Sequence, residues 1–83
     1  DPLTQCFNGR GFEQMAAREI ARAVRSDAPL AILALDIDHF KKINDTFGHL
    51  VGDEVLRDIG VVLRQTARIS DVVARTGGEE FTI

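Results

Sequence analysis

The sequence predicts an α/β domain, and three observations carry that reading. Two stretches, Phe12 to Val24 and Val55 to Ala67, repeat apolar residues at helical spacing. Between them Leu30 to Ile37 is almost wholly apolar, follows Pro29 and ends in acids, the pattern of a buried central strand. A short β-like run, Val72 to Arg75, then enters a Gly77-Gly78 turn with a further strand expected beyond it.

Composition narrows the function classes. A chain of 83 residues fits one small domain and buries only roughly 60 to 65 percent of its unfolded surface. The net charge is −3 and the ten basic residues are scattered, which argues against a nucleic-acid surface. Cys6 is the single cysteine, so no internal disulfide can form, and it reads as a small apolar filler in a reducing cytoplasm. No apolar stretch approaches the ~20 residues of a membrane span and no signal-peptide pattern opens the chain, so no membrane contact is expected.

Asp1 to Gly11 has loop composition, with Asn8 a helix cap. A helix starts near Gly11, its stripe being Phe12, Met15, Ala16, Ile20, Ala23 and Val24, with Glu13, Arg18, Arg22 and Arg25 outside. It stops at Ser26-Asp27-Ala28-Pro29, because the residue before proline is pushed out of helical geometry. In the strand that follows, Asp36 and Asp38 project with Ile32 and Ala34, while Leu33, Leu35 and Ile37 face the other way.

His39 to Thr46 forms a short helix closed by Gly48, beginning at the strand's carboxyl end. Helix starts attract phosphates through free N–H groups and the helix dipole, and Lys41 and Lys42 add positive charge there; solvated surface is the plainer reading of both lysines. His39 and His49 are not spaced for a shared metal and read as structural or helix-terminal. The next helix spans Leu50 to Ala67, with Val55, Leu56, Ile59, Val62, Leu63 and Ala67 inward. Asp53 is expected in its first turn, either stabilising the helix start or recognising a base. Arg68 and Asp71 form either a local ion pair or part of a ligand site.

The chemistry concentrates where Leu35-Asp36-Ile37-Asp38 and Gly77-Gly78-Glu79-Glu80-Phe81 meet. Two glycines let the backbone approach a bulky anion, and the acids can hold a hard cation against it. A Gly-Gly turn followed by acids also occurs in ordinary hairpins. If Asp36, the Ile37 carbonyl and Glu79 converge, they form an all-oxygen set suited to Mg²⁺.

These motifs, in fixed order along the whole chain, resemble the GGDEF family of diguanylate cyclases. Asp1-Pro2-Leu3-Thr4 is similar to the family's opening, and Asp36-Ile37-Asp38-His39-Phe40-Lys41-Lys42-Ile43-Asn44-Asp45 to its first signature. Phe47-Gly48-His49 with Gly52-Asp53-Glu54-Val55-Leu56 is similar to the second, and Gly77 to Phe81 to the namesake loop in its Glu variant. Gln5-Cys6-Phe7-Asn8-Gly9-Arg10 departs from the Gly-Leu-Pro-Asn-Arg type run that relatives carry.

The resemblance implies a palm-like fold shared with nucleotidyl cyclases and polymerases, a sheet containing antiparallel strands flanked by helices, of which residues 1–83 are expected to be the N-terminal half and, by themselves, inactive. It implies condensation of two GTP into cyclic di-GMP and two pyrophosphates by a homodimer with Mg²⁺ or Mn²⁺. Asp36, the Ile37 carbonyl and Glu79 are implied to hold metal, with Gly78 and Glu80 catalytic, Glu80 through the second metal or deprotonation of the 3′-hydroxyl. Asn44 and Asp53 are implied to read guanine, and Lys41, Phe40 and His39 to complete the substrate site. Arg68 and Asp71 are implied to bind the product in an inhibitory site, and an upstream sensory domain to control pairing. Two rivals stand beside this reading: a silent receptor for cyclic di-GMP or GTP, and a cyclase making a different product.

Overall fold

In the computed structural model, which describes residues 1–83, the first helix begins where Asn8 caps it. The Asn8 side chain accepts a hydrogen bond from Gly11 N at 2.8 Å, so α1 runs Gly9–Ser26 and starts slightly earlier than its apolar stripe. Asp27 ends it in the left-handed conformation, φ 53°, while Ala28 N–H donates to Ala23 O at 3.0 Å. No α1 residue is fully buried: Phe12, Met15 and Ala16 are half-covered, whereas Ile20 and Val24 are exposed.

Three strands make one antiparallel sheet in the order β1 (Ala34–Asp36), β3 (Glu80–Thr82), β2 (Ala74–Arg75). Leu33 and Ile83 extend the β1–β3 pairing by exchanging backbone bonds of 3.0 and 2.9 Å. The opening loop joins beyond β2, where Phe7 N–H donates to Val73 O and Arg75 N–H to Phe7 O. The expected buried central strand from Leu30 to Ile37 is therefore corrected: only Ala34–Asp36 form a strand, and all three residues are exposed at the sheet edge. Within residues 1–83 the strand is paired on one side alone, by β3. The central strand is β3, whose Phe81 is 1% exposed.

Gly48, at φ +89°, both closes α2 (Phe40–Phe47) and precedes α3 (His49–Thr66). Such a φ strains any residue with a Cβ, so this corner favours glycine. Since α3 starts at His49, its first turn holds no acid and Asp53 lies in the second turn, which corrects the helix-start reading. The two helices pack against each other and over the sheet, enclosing Cys6, Phe40, Leu56, Val73 and Phe81. Cys6 is a buried free thiol, as its role of apolar filler requires. Val62 departs from the expected stripe: it is exposed, and buried Gly60 takes the inward position. A Cβ at Gly60 would come within 3.0 Å of Thr4 Cβ and 3.1 Å of Thr4 O, so α3 lies directly on the opening loop.

Candidate active site

The hairpin between β2 and β3 is closed at its neck and clamped at its tip. Thr76 N–H donates to Glu80 O at 2.9 Å, and Gly77 N–H reaches the same oxygen at 3.4 Å. The Arg75 guanidinium donates from Nε and Nη2 to Gly78 O at 3.2 and 2.9 Å. Its Nη1 stands 3.5 Å from Asp1 Oδ2, which also accepts from Thr4 N and Thr4 Oγ1. The turn that carries the acids is thus tied to the start of the chain, a link no local sequence pattern announces.

The two glycines differ in what they supply. A Cβ at Gly77 would lie 3.2 Å from Glu80 Cβ and Cδ, so Gly77 leaves room for that side chain. Nothing lies within 4 Å of a Cβ at Gly78, which offers bare backbone to open space. Neither glycine has a positive φ. Their use here is space for neighbours and for close approach, rather than the tight left-handed turn that a Gly-Gly pair suggests.

Register brings the acids together. Asp36 on β1 is directly opposite Glu80 on β3, and Ile37 N–H donates to Glu79 O at 3.1 Å. Like charges directly opposed across strands are destabilising, so this pairing is unfavourable without a counter-charge. Glu79, half-buried, has its carboxyl pushed above the ordinary range, first by partial removal from water, then by the Asp36 charge, a hydrogen bond with Asp36 and the Glu80 charge.

No set of three or more His, Cys, Asp or Glu side chains forms a complete metal cage. What fits a hard cation is the close pair Asp36 and Glu79 with the Ile37 carbonyl, to which no backbone N–H donates. Such a partial oxygen set suits Mg²⁺, which keeps waters and takes further ligands from phosphates. Asp38 lies outside the strand, in the exposed turn that follows.

At the start of α2, His39 adopts the left-handed conformation, φ 59°, and makes no side-chain cap. This is uncommon for a residue with a Cβ and sharpens the turn from β1 into α2. Lys41 and Lys42 are exposed and neither joins an ion pair. Phe40 is 9% exposed and belongs to the core, so it can only support a ligand from beneath.

Asn44 and Asp53 are half-buried on the packed pair α2 and α3, with Asn44 Oδ1 buried and lacking a hydrogen-bond partner. Asp53 joins no ion pair. His49 opens α3, exposed and outside any ligand group. Arg68 and Asp71 do not pair through their side chains; Asp71 Oδ2 instead accepts from Arg68 N at 2.8 Å, and the Arg68 guanidinium is left exposed. Both line a cleft with Arg64, Gln5 and Phe7. Sequence reading missed two residues with evident work, Arg75 at the turn and Gly52 beneath Asn44.

An antiparallel sheet backed by helices, with paired carboxylates at adjoining strand ends, defines a domain of the α/β class built around an anionic, cation-suited site. The profile of the family described as "Diguanylate cyclase, GGDEF domain" matches residues 1–83, and the chain belongs to that family. It is 48% identical to diguanylate cyclase DgcP of Pseudomonas aeruginosa over 83 residues, covering all of this chain and 12% of that protein. It is 47% identical to diguanylate cyclase DosC of Escherichia coli, covering all of this chain and 18% of DosC. Among solved structures, the GGDEF domain of DgcB from Caulobacter crescentus in complex with c-di-GMP superposes with a TM-score of 0.94 at 40% identity, over 99% of this chain and 47% of that one. The chain therefore spans a small part of those curated relatives and about half of the solved domain. No helix is long and apolar enough to cross a membrane.

Proposed function

We propose that these residues are part of a diguanylate cyclase, which joins two GTP into cyclic di-GMP. The observation that carries this reading is the register that sets Asp36 opposite Glu80 with half-buried Glu79 beside them. Three carboxylates crowded on adjoining strands destabilise one another, and a divalent cation with a triphosphate relieves that repulsion. Family membership and the cyclase names of relatives point the same way.

In this reading Asp36, Glu79 and the Ile37 carbonyl hold Mg²⁺ or Mn²⁺. When bound, the metal stabilises charge on the attacking and leaving oxygens. Each condensation forms one bond from a ribose 3′-oxygen to the α-phosphorus of the other GTP and breaks that phosphorus's bond to pyrophosphate. Glu80, exposed at the strand end, takes the 3′-hydroxyl proton or assists a second cation. The open backbone at Gly78 and the start of α2, with Lys41 and His39, border the phosphates. Asp53 accepts from guanine N1–H and its amino group while Asn44 donates to the guanine carbonyl, with Phe40 beneath.

One such site holds one GTP, so two copies must face each other for the double condensation. A regulatory segment elsewhere in the parent protein would set that pairing through effective concentration. Arg68, with its guanidinium unpaired, and Asp71 form the product-inhibitory site.

The test incubates the completed domain, in the parent protein, with GTP and Mg²⁺ and separates products by chromatography. Cyclic di-GMP with two pyrophosphates per molecule supports the proposal. Absence of turnover together with cyclic di-GMP binding that is lost in Arg68→Ala favours a silent receptor instead. A different cyclic nucleotide overturns the guanine reading.

A further inference from the structure

We infer that Gly52 is a positioning residue for base selection: its missing side chain is the socket that holds the Asn44 amide. This rests on the proposed role of Asn44 in reading guanine and extends it to a residue that touches no ligand.

Gly52 is buried within α3 and has no positive φ, so the backbone there makes no demand for glycine. Glycine inside a helix is less stable than alanine, so its presence needs a packing cause. The cause is visible. A Cβ on Gly52 would overlap Asn44 Oδ1 outright, come within 2.9 Å of Asn44 Cγ and lie 3.3 Å from Phe40 Cζ. The Asn44 amide therefore occupies the volume that any other residue at position 52 would fill.

This placement sets the amide's orientation. Oδ1 is pressed against the α3 backbone, where it is buried and finds no hydrogen-bond partner. The amide nitrogen is the outward end, free to donate. Asp53, the next residue along α3, supplies an acceptor that joins no ion pair. A donor and an acceptor so fixed match guanine, which offers a carbonyl acceptor together with N1–H and amino donors, and mismatch adenine. An amide free to turn would present its oxygen as readily as its nitrogen and lose that discrimination.

The test is a double-mutant cycle in the completed domain of the parent protein, reading the ratio of kcat/KM for GTP to that for ATP, with the thermal midpoint measured alongside. Asn44→Ala is expected to lower the GTP preference about tenfold. Gly52→Ala is expected to lower it by a similar factor, although alanine favours the helix. Asn44→Ala with Gly52→Ala is expected to be no worse than Asn44→Ala alone, with a midpoint at or above it. If Gly52→Ala alone fails to fold, recovery of folding in the double variant supports the inference, and failure there too overturns it. A wild-type preference in Gly52→Ala beside an impaired Asn44→Ala overturns the socket while leaving the base reading intact. Unchanged preference in Asn44→Ala overturns both.

Discussion

Arg75 offers the sharpest perturbation of the site without touching its acids. Its guanidinium fork places two N–H groups on the Gly78 carbonyl at 3.2 and 2.9 Å, and its third nitrogen faces Asp1 at 3.5 Å. A hydrogen bond from a charged donor contributes about 1.5 to 3 kcal/mol, and the two share one acceptor in a partly exposed place. The Asp1 pair adds under about 1 kcal/mol at such a separation and exposure. Arg75→Ala should therefore remove about 2 kcal/mol of order from the turn that carries Glu79 and Glu80. If that order is used to hold the acids for the reaction, the loss is about 30-fold in kcat/KM for GTP. The assay is steady-state pyrophosphate release by the completed domain in the parent protein. Arg75→Lys keeps the charge but not the planar fork, and should recover less than half of the loss on a logarithmic scale. Turnover of Arg75→Ala within about threefold of the parent would refute the clamp.

Other consequences follow from the same geometry. Glu79 has a raised carboxyl pKa in the folded chain, so folding favours its protonated form and its contribution to stability declines as pH rises from the unfolded value through the folded one. Glu79→Gln should thus raise the metal-free melting temperature at neutral pH, flatten its decline with pH and abolish stabilisation by Mg²⁺; an unchanged Mg²⁺ response would remove Glu79 from the metal set. Leu56, 2% exposed at the centre of the core, should cost about 3 kcal/mol when cut to alanine, read as a shifted urea midpoint of this domain. Asp71→Ala removes the acceptor of the Arg68 N–H and should cost about 1 kcal/mol, a role that Asp71→Asn retains. Both variants should weaken cyclic di-GMP binding, and full binding by Asp71→Asn would reduce Asp71 to a turn lock.

Legibility in the sequence follows the range of the forces involved. The helices were readable because stripe, cap and proline stop are local, and Asn8, Gly48 and Pro29 each act within a few residues. The strand Leu30 to Ile37 was misread because apolar content reports an appetite for burial, and whether that burial is met depends on partners far away in the chain. Within residues 1–83 β3 pairs one edge and Ala34–Asp36 are exposed. Val62 failed for a kindred reason, since the glycine at position 60 let the opening loop take the inward place and turned the stripe. Periodicity scores glycine as featureless, so both Gly52 and Gly60 escaped it.

At the site, motif order named the acids, and register explains why they matter. The pairing of Asp36 with Glu80 cannot be read from either segment alone, because β1 and β3 are far apart in the chain and their register is fixed by ladder bonds such as those between Leu33 and Ile83. The contact of Arg75 with Asp1 joins residues 74 positions apart and has no local trace. Arg68 and Asp71 read as an ion pair or as part of a ligand site, and the structure shows no ion pair: the Asp71 carboxylate accepts from the Arg68 backbone N–H.

The central claim is that the carboxylates opposed across β1 and β3 serve a metal-assisted joining of two GTP. The measurement that tests it most directly is formation of cyclic di-GMP by Glu80→Gln beside the unaltered protein, both carrying the completed domain, at saturating GTP and Mg²⁺ and with folding matched by circular dichroism. The account predicts turnover by the parent and a loss of at least about 100-fold in the variant, in the range expected for a group that moves a proton or stabilises charge in the reaction. Parent-like turnover in Glu80→Gln would contradict it.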